Sequence, residues 1–244
     1  MPRQVFLHGV PDTPLIWEPL RHKLGITENQ IAMGLPGFGG PLPENFGATA
    51  DDYLEWLEQS LMEIHRQDGP VDLVGHDWGG GLVWGIVIKN PELIRTWTII
   101  SSPIWPDYDW HHFAKIWRTP ILGELSMLLS SKKLMSTLLR YWRVPKQVAE
   151  QTVDHIDPTM RKAILRLYRS AENVGNGWNE GGGIDGSNGL LIFGEKDPFM
   201  STDEAQSFAR EIGLAVTVVE DAGHWLIAEK PVDVARILTH HWSR

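Results

Sequence analysis

The chain of 244 residues has room for one large domain, or one domain with an insertion, around a substantial core. With a net charge of -9 a nucleic-acid footprint is not expected and a polyanionic substrate is disfavoured. With no cysteine it has no disulfides, no Cys nucleophile and no thiolate metal site.

No apolar run reaches transmembrane length, and the one near the N-terminus is too short for a signal peptide. A cytoplasmic protein without a membrane partner is therefore expected. Twelve tryptophans point to an aromatic-lined pocket as well as to packing, because indole packs apolar ligands and carries one N–H donor.

Residues 4–7 (QVFL) are a short apolar run ending at His8-Gly9 and predict a buried strand. Residues 31–35 predict a second strand that runs into a Gly-rich loop. From Asp51 to Ile64 the residues Tyr53, Leu54, Trp56, Leu57, Leu61 and Ile64 share one helical face, with Thr49 or Asp51 as cap. A strand over 71–74 follows, then the loop GHDWGG, a buried helix from Leu82 to Lys89 and a strand over 95–100. Such alternation predicts a parallel sheet flanked by helices. From 103 to 188 strand runs vanish. Helices are expected there over 110–118, 121–142, 145–154 and 158–172, closed by a Gly-rich return from Gly175 to Gly189. This block reads as a helical cap, 103–188, inserted into a core of 1–102 and 189–244. The core resumes with a strand over 190–193, a helix over 202–212, a strand over 215–219 and a final helix over 231–242.

Four loops stand at the C-terminal ends of predicted strands, where open parallel sheets place their ligands. Gly75-His76-Asp77-Trp78-Gly79 has the pattern of the G-x-S-x-G nucleophile elbow with aspartate at its centre. Alone, that aspartate reads as readily as a helix cap. Asp197, in Gly194-Glu195-Lys196-Asp197-Pro198, follows the penultimate strand, where an acid would orient a histidine. In isolation it reads equally as a turn residue. His224 follows the last strand and completes the order nucleophile, acid, histidine of the α/β-hydrolase fold. His8-Gly9-Val10-Pro11 follows the first strand, so the Val10 and Trp78 amides are the expected oxyanion-hole pair. Together the loops predict an α/β-hydrolase fold with an Asp77–Asp197–His224 triad.

Aspartate at the elbow changes the chemistry. A carboxylate is already an anion and needs no base to attack. Attack on an ester would give a labile anhydride, whereas displacement at saturated carbon gives a stable alkyl ester. His224, oriented by Asp197, would then activate water to hydrolyse that ester. No metal or other cofactor is required. His111 and His112 are adjacent and cannot form the i, i+4 pair that puts two ligands on one helix face.

The stretch Val74-Gly75-His76-Asp77-Trp78-Gly79-Gly80-Gly81-Leu82-Val83-Trp84 resembles the elbow of the epoxide hydrolases, and haloalkane dehalogenases have a similar Asp-Trp-Gly-Gly. The resemblance covers Val5 to Ser102 and Leu190 to the end, and weakens between them. It implies a donor for the departing epoxide oxygen late in the cap, where Tyr168 lies in a similar Tyr-Arg segment. It implies a second donor early in the cap, where His111, His112 or Tyr108 stands. A halide would instead need N–H donors such as Trp78 and Trp110. Val10 departs from the Asn that many haloalkane dehalogenases have in the HGxP turn. Trp78 departs from the carboxylate-binding arginine of the fluoroacetate dehalogenases. The resemblance thus implies hydrolysis of a small apolar epoxide by water to a diol, with dehalogenation to an alcohol and halide as the alternative. An esterase, a lactonase or a non-catalytic ligand-binding protein of this fold fits the elbow less well. The resembled family begins with two more strands before its HGxP strand, which lies here within the first ten residues. A reduced, mostly parallel sheet of about six strands is expected, with an open edge that would favour a homodimer.

Overall fold

The computed structural model describes residues 2–25, 28–105, 108–171 and 186–243. Six strands form one sheet: β1 (Gln4–Leu7), β2 (Gln30–Met33), β3 (Val71–His76), β4 (Ile94–Ile100), β5 (Gly189–Gly194) and β6 (Ala215–Val219). Their order is β2-β1-β3-β4-β5-β6 and every pairing is parallel. The expected sheet of about six strands is thus observed, and it is parallel throughout. β3 and β5 are buried along their whole length, as a sheet covered on both faces requires.

The chain leaves β1 toward β2 on one side and later returns to β3 on the other, so the sheet has its switch point between β1 and β3. A crevice opens beyond the strand ends at such a point. His8 to Val10 and Asp77 lie at those two ends.

The helices of the sheet layers are α1 (Glu18–Leu24), α2 (Ala50–Asp68) and α3 (Trp78–Lys89). α2 starts in a capping box, with Thr49 accepting from the Asp52 amide and Asp52 accepting from the Thr49 amide. α3 begins at Trp78, four residues before the expected Leu82. Gly79-Gly80-Gly81 has poor helix propensity, and packing overrides it. A Cβ on Gly79 would lie 2.2 Å from the Leu7 carbonyl oxygen, and one on Gly75 would lie 2.3 Å from the Gly79 carbonyl oxygen. The glycines let the start of α3 sit against β1 and β3. α1 was not expected, because a seven-residue helix opening on Pro19 shows too few turns for periodicity to register.

Between β4 and β5 come α4 (His112–Arg118), α5 (Leu122–Leu129), α6 (Lys132–Tyr141), α7 (Lys146–Asp154) and α8 (Pro158–Ser170). The single helix expected over 121–142 is two. Ser131 breaks it by accepting from the Leu134 amide as the N-cap of α6. Most of the Gly-rich return falls outside the described residues; Gly186–Asn188 form one 3-10 turn before β5. The chain ends with α9 (Thr202–Glu211), the short α10 (Leu226–Glu229) and α11 (Pro231–Trp242).

Candidate active site

Asp77 closes β3 with φ 50 and ψ -124, a left-handed conformation that costs a non-glycine residue energy and holds its side chain above the sheet. A Cβ on Gly9 would lie 2.3 Å from the Asp77 Cβ, so only glycine lets the two loops meet. His8 fixes the facing turn. Its Nδ1–H donates to the Gly9 carbonyl at 2.8 Å while Nε2 accepts from the Leu35 amide at 3.1 Å. That pattern needs a neutral ring, and burial lowers His8 to about 4.

The turn so held aims the Val10 amide at Asp77 Oδ1, 2.8 Å away. Trp78, which directly follows Asp77 as the first residue of α3, has an amide with no intrahelical acceptor. His224 Nε2 lies 3.5 Å from Asp77 Oδ2, and its Nδ1–H donates to Asp197 Oδ2 at 2.8 Å. Asp197 Oδ1 accepts from the Phe199 amide at 2.8 Å and the Met200 amide at 3.2 Å. The structure therefore brings Asp77, Asp197, His224, Val10 and Trp78 together from four loops.

The electrostatics are mutual. Burial pushes the Asp77 carboxyl up, but the bond and charge of His224, the charge of His76 and the Val10 amide outweigh it and hold it below its ordinary value. Burial works against the His224 imidazolium, yet Asp197 and Asp77 raise it to about 10. Each partner thus favours the charged form of the other, a carboxylate beside an imidazolium.

The residues of the helical block divide. His111 lines both cavities at Asp77, whereas His112 is exposed at the start of α4. His111 Nδ1 accepts from the Ala114 amide at 3.2 Å, and burial lowers the ring to about 4. In the neutral ring the proton is then on Nε2. Tyr168 is buried, and burial raises its phenol well above the ordinary value, so it remains an acid. The Trp78 side chain packs against it edge-on, ring centroids 5.1 Å apart, and holds that rise back; an indole N–H can only donate, so it makes no claim on the Tyr168 O–H proton. The Tyr108 hydroxyl donates instead to the Phe199 carbonyl at 3.2 Å. Trp110 stacks on Trp78 with ring centroids 6.0 Å apart.

Two cavities meet at Asp77, His111 and Tyr168. The smaller, about 30 Å³, lies against Trp78, Tyr108 and Trp110. The larger, about 150 Å³, is walled by aromatic and aliphatic side chains including Phe113, Trp117, Leu138, Trp142 and Phe199. An apolar space of this volume takes a molecule of roughly benzene size. Among the described residues no three His, Cys, Asp or Glu side chains are arranged to hold a metal ion.

Sequence reasoning missed the support beneath His224. The His76 Nε2–H donates to the His224 carbonyl at 3.0 Å, and burial lowers this ring to about 4. Asp12, raised to about 7 by burial, accepts from the Trp225 indole at 2.9 Å. His76 sits inside the elbow motif and Asp12 directly follows His8-Gly9-Val10-Pro11, but nothing in their spacing shows that they converge on the last loop.

A model of the alpha/beta hydrolase family matches residues 4–237. Epoxide hydrolase 3 of Xenopus tropicalis is 24% identical over 264 residues, covering 97% of this chain and 70% of that protein. The crystal structure of a haloalkane dehalogenase from Bradyrhizobium elkani superposes with a TM-score of 0.78 at 21% identity, over 99% of this chain and 91% of the other. A 2-hydroxy-6-oxo-6-phenylhexa-2,4-dienoate hydrolase from Rhodococcus reaches 0.80 at 18% identity, over 100% and 91%. One backbone thus carries proteins named for different reactions, and the side chains must discriminate among them.

Proposed function

From the premise that the chain belongs to the alpha/beta hydrolase family, we propose that it hydrolyses an apolar epoxide to a vicinal diol through an ester on Asp77. The observation that carries this reading is the pair of free donors opposite Asp77. Tyr168 has its hydroxyl proton uncommitted, and neutral His111 carries its proton on Nε2.

In the first step the Asp77 carboxylate attacks an epoxide carbon in line with the C–O bond. That bond breaks, and the departing oxygen takes the Tyr168 proton while His111 donates a hydrogen bond. Esterification cancels the Asp77 charge that helps to hold a proton on His224. The proton His224 then releases restores Tyr168. Neutral His224, oriented by Asp197, takes a proton from water as the hydroxide adds to the Asp77 carboxyl carbon. The Val10 and Trp78 amides stabilise the oxyanion. Expulsion of the second hydroxyl, which takes the remaining acid proton, returns Asp77 to carboxylate and His224 to imidazolium. Every proton is accounted for without a metal.

A second reading is displacement of halide, favoured by the stacked indoles of Trp78 and Trp110 at the smaller cavity. It is weakened because the Trp78 indole packs against Tyr168 and already acts on its phenol. Intact-mass spectrometry of His224→Gln tests the proposal. Incubation with styrene oxide is expected to add one substrate mass to the protein. An unmodified protein, at concentrations where the parent turns over, refutes the covalent route. Halide release from a chloroalkane without diol formation from styrene oxide replaces the first reading with the second.

A further inference from the structure

We propose that the outer face of α5 and α6 docks on an anionic lipid surface. The sequence reading expected no membrane partner, and no helix of the described residues is long and apolar enough to cross a membrane. The inference concerns a contact in the plane of the interface.

Three observations converge. The first is apolar exposure. Ile121, Leu128 and Leu129 are 75%, 79% and 75% exposed, with Leu122, Leu125 and Leu134 about half exposed beside them. α5 reads Leu-Gly-Glu-Leu-Ser-Met-Leu-Leu, so one short helix presents most of this surface. Scattered exposed leucines are ordinary, but a contiguous cluster on a soluble protein marks a contact.

The second is charge. Residues 108–171 hold eleven Lys and Arg against five Asp and Glu, whereas the whole chain holds 22 against 31. The helical block is basic on an acidic protein. Lys133 stands at the start of α6, next to the end of α5 and beside Lys132, whose ammonium already pairs with Asp154. On the other flank, a groove bordered by Leu128 and Ile156 is lined by Arg161, Lys162 and Arg166. The carboxylates of this face are already partnered: Glu124 pairs with Arg169 and Asp154 with Lys132. An apolar stripe between basic flanks matches acyl chains below anionic headgroups. It does not match a second copy meeting block to block, since both faces would be positive.

The third is continuity with the cavity. Ser126, Ser130, Leu134, Met135 and Leu138 of the same helices wall the larger cavity at Asp77. Leu134 belongs to both the cavity wall and the exposed cluster. An apolar compound dissolved in the lipid would then lie beside the helices that wall the cavity.

Co-sedimentation of the full chain with phosphatidylglycerol vesicles and with phosphatidylcholine vesicles tests the docking. Binding is expected to the first, to be weak to the second, and to fall with added salt. Leu128→Glu/Leu129→Glu and, separately, Lys132→Glu/Lys133→Glu are expected to weaken it roughly tenfold or more, each with an unchanged circular-dichroism spectrum. No binding by the parent chain overturns the proposal, as does equal binding by the variants. A parent dimer that Leu128→Glu/Leu129→Glu turns into monomer, without vesicle binding, assigns the face to a second copy and overturns it too. None of these readouts uses turnover, so they stand apart from the epoxide reading.

Discussion

Replacing Tyr168 by phenylalanine removes one oxygen from the middle of the site and separates its two roles. The ring stays packed, with Trp117 at 5.0 Å and Trp78 at 5.1 Å between centroids. What is lost first is the oxygen on which the Trp78 side chain acts. A buried donor left without a partner costs about 1–3 kcal/mol. In a chain of this size each kcal/mol lowers the melting temperature by about 2–4 °C, so the variant is expected to melt a few degrees lower but to fold. What is lost second is the proton for the departing epoxide oxygen, and a positioned acid contributes about 10²–10⁴ in rate. His111 Nε2–H remains as a donor, which places the expected loss toward the lower end of that range. The measurement is the single-turnover rate of ester formation with styrene oxide in the His224→Gln background, read by intact mass. Both proteins lack the hydrolytic step there, so the comparison isolates ring opening. The same substitution frees the Trp78 N–H, and a chloroalkane should therefore react no more slowly. An unchanged epoxide rate, with the expected drop in melting temperature, would refute the role given to Tyr168.

Other expectations follow from the same geometry. Gly9→Ala puts a methyl 2.3 Å from the Asp77 Cβ, so ester formation with styrene oxide should fall below detection while circular dichroism still shows the fold. Asp197→Asn keeps the shape of the His224 partner but removes its charge; ester formation should persist and its hydrolysis should slow, seen as accumulated adduct by mass. Acid should destabilise the fold early. Burial lowers His8, His76 and His111 to about 4, so the unfolded chain binds three more protons below its histidine pKa. Asp12, raised to about 7, acts oppositely, because it holds a proton in the fold that the unfolded chain releases. The net is two groups, or about 3 kcal/mol lost per pH unit between about 6.5 and 4, measurable by urea titration. A flat stability over that window would show that these side chains are hydrated.

Much of the frame was legible in one dimension. Short apolar runs such as Gln4–Leu7 and Val71–His76 can be buried on both faces only as central parallel strands, and the motifs sit at their ends because the turns there demand glycine. Asp77, Asp197 and His224 could be named from the order of their loops, since chain order and strand position are properties of the sequence. The aspartate at the elbow is one letter of the sequence, and the proposal of attack at saturated carbon rests on that letter before any distance is known.

Tertiary structure alone decided the rest, because hydrogen-bond direction and burial depend on what arrives from elsewhere in the chain. His111 and His112 are indistinguishable as neighbours in sequence; only the start of α4 turns one inward and leaves the other exposed. Tyr108 and Tyr168 were both candidates, and the Phe199 carbonyl occupies the first hydroxyl while Trp78 leaves the proton of the second free. Trp78 was a candidate halide donor, and only the fold shows that its indole packs against the Tyr168 ring, centroids 5.1 Å apart. The His76 and Asp12 support beneath His224 joins residues 148 and 213 positions apart, a separation over which no local pattern carries information.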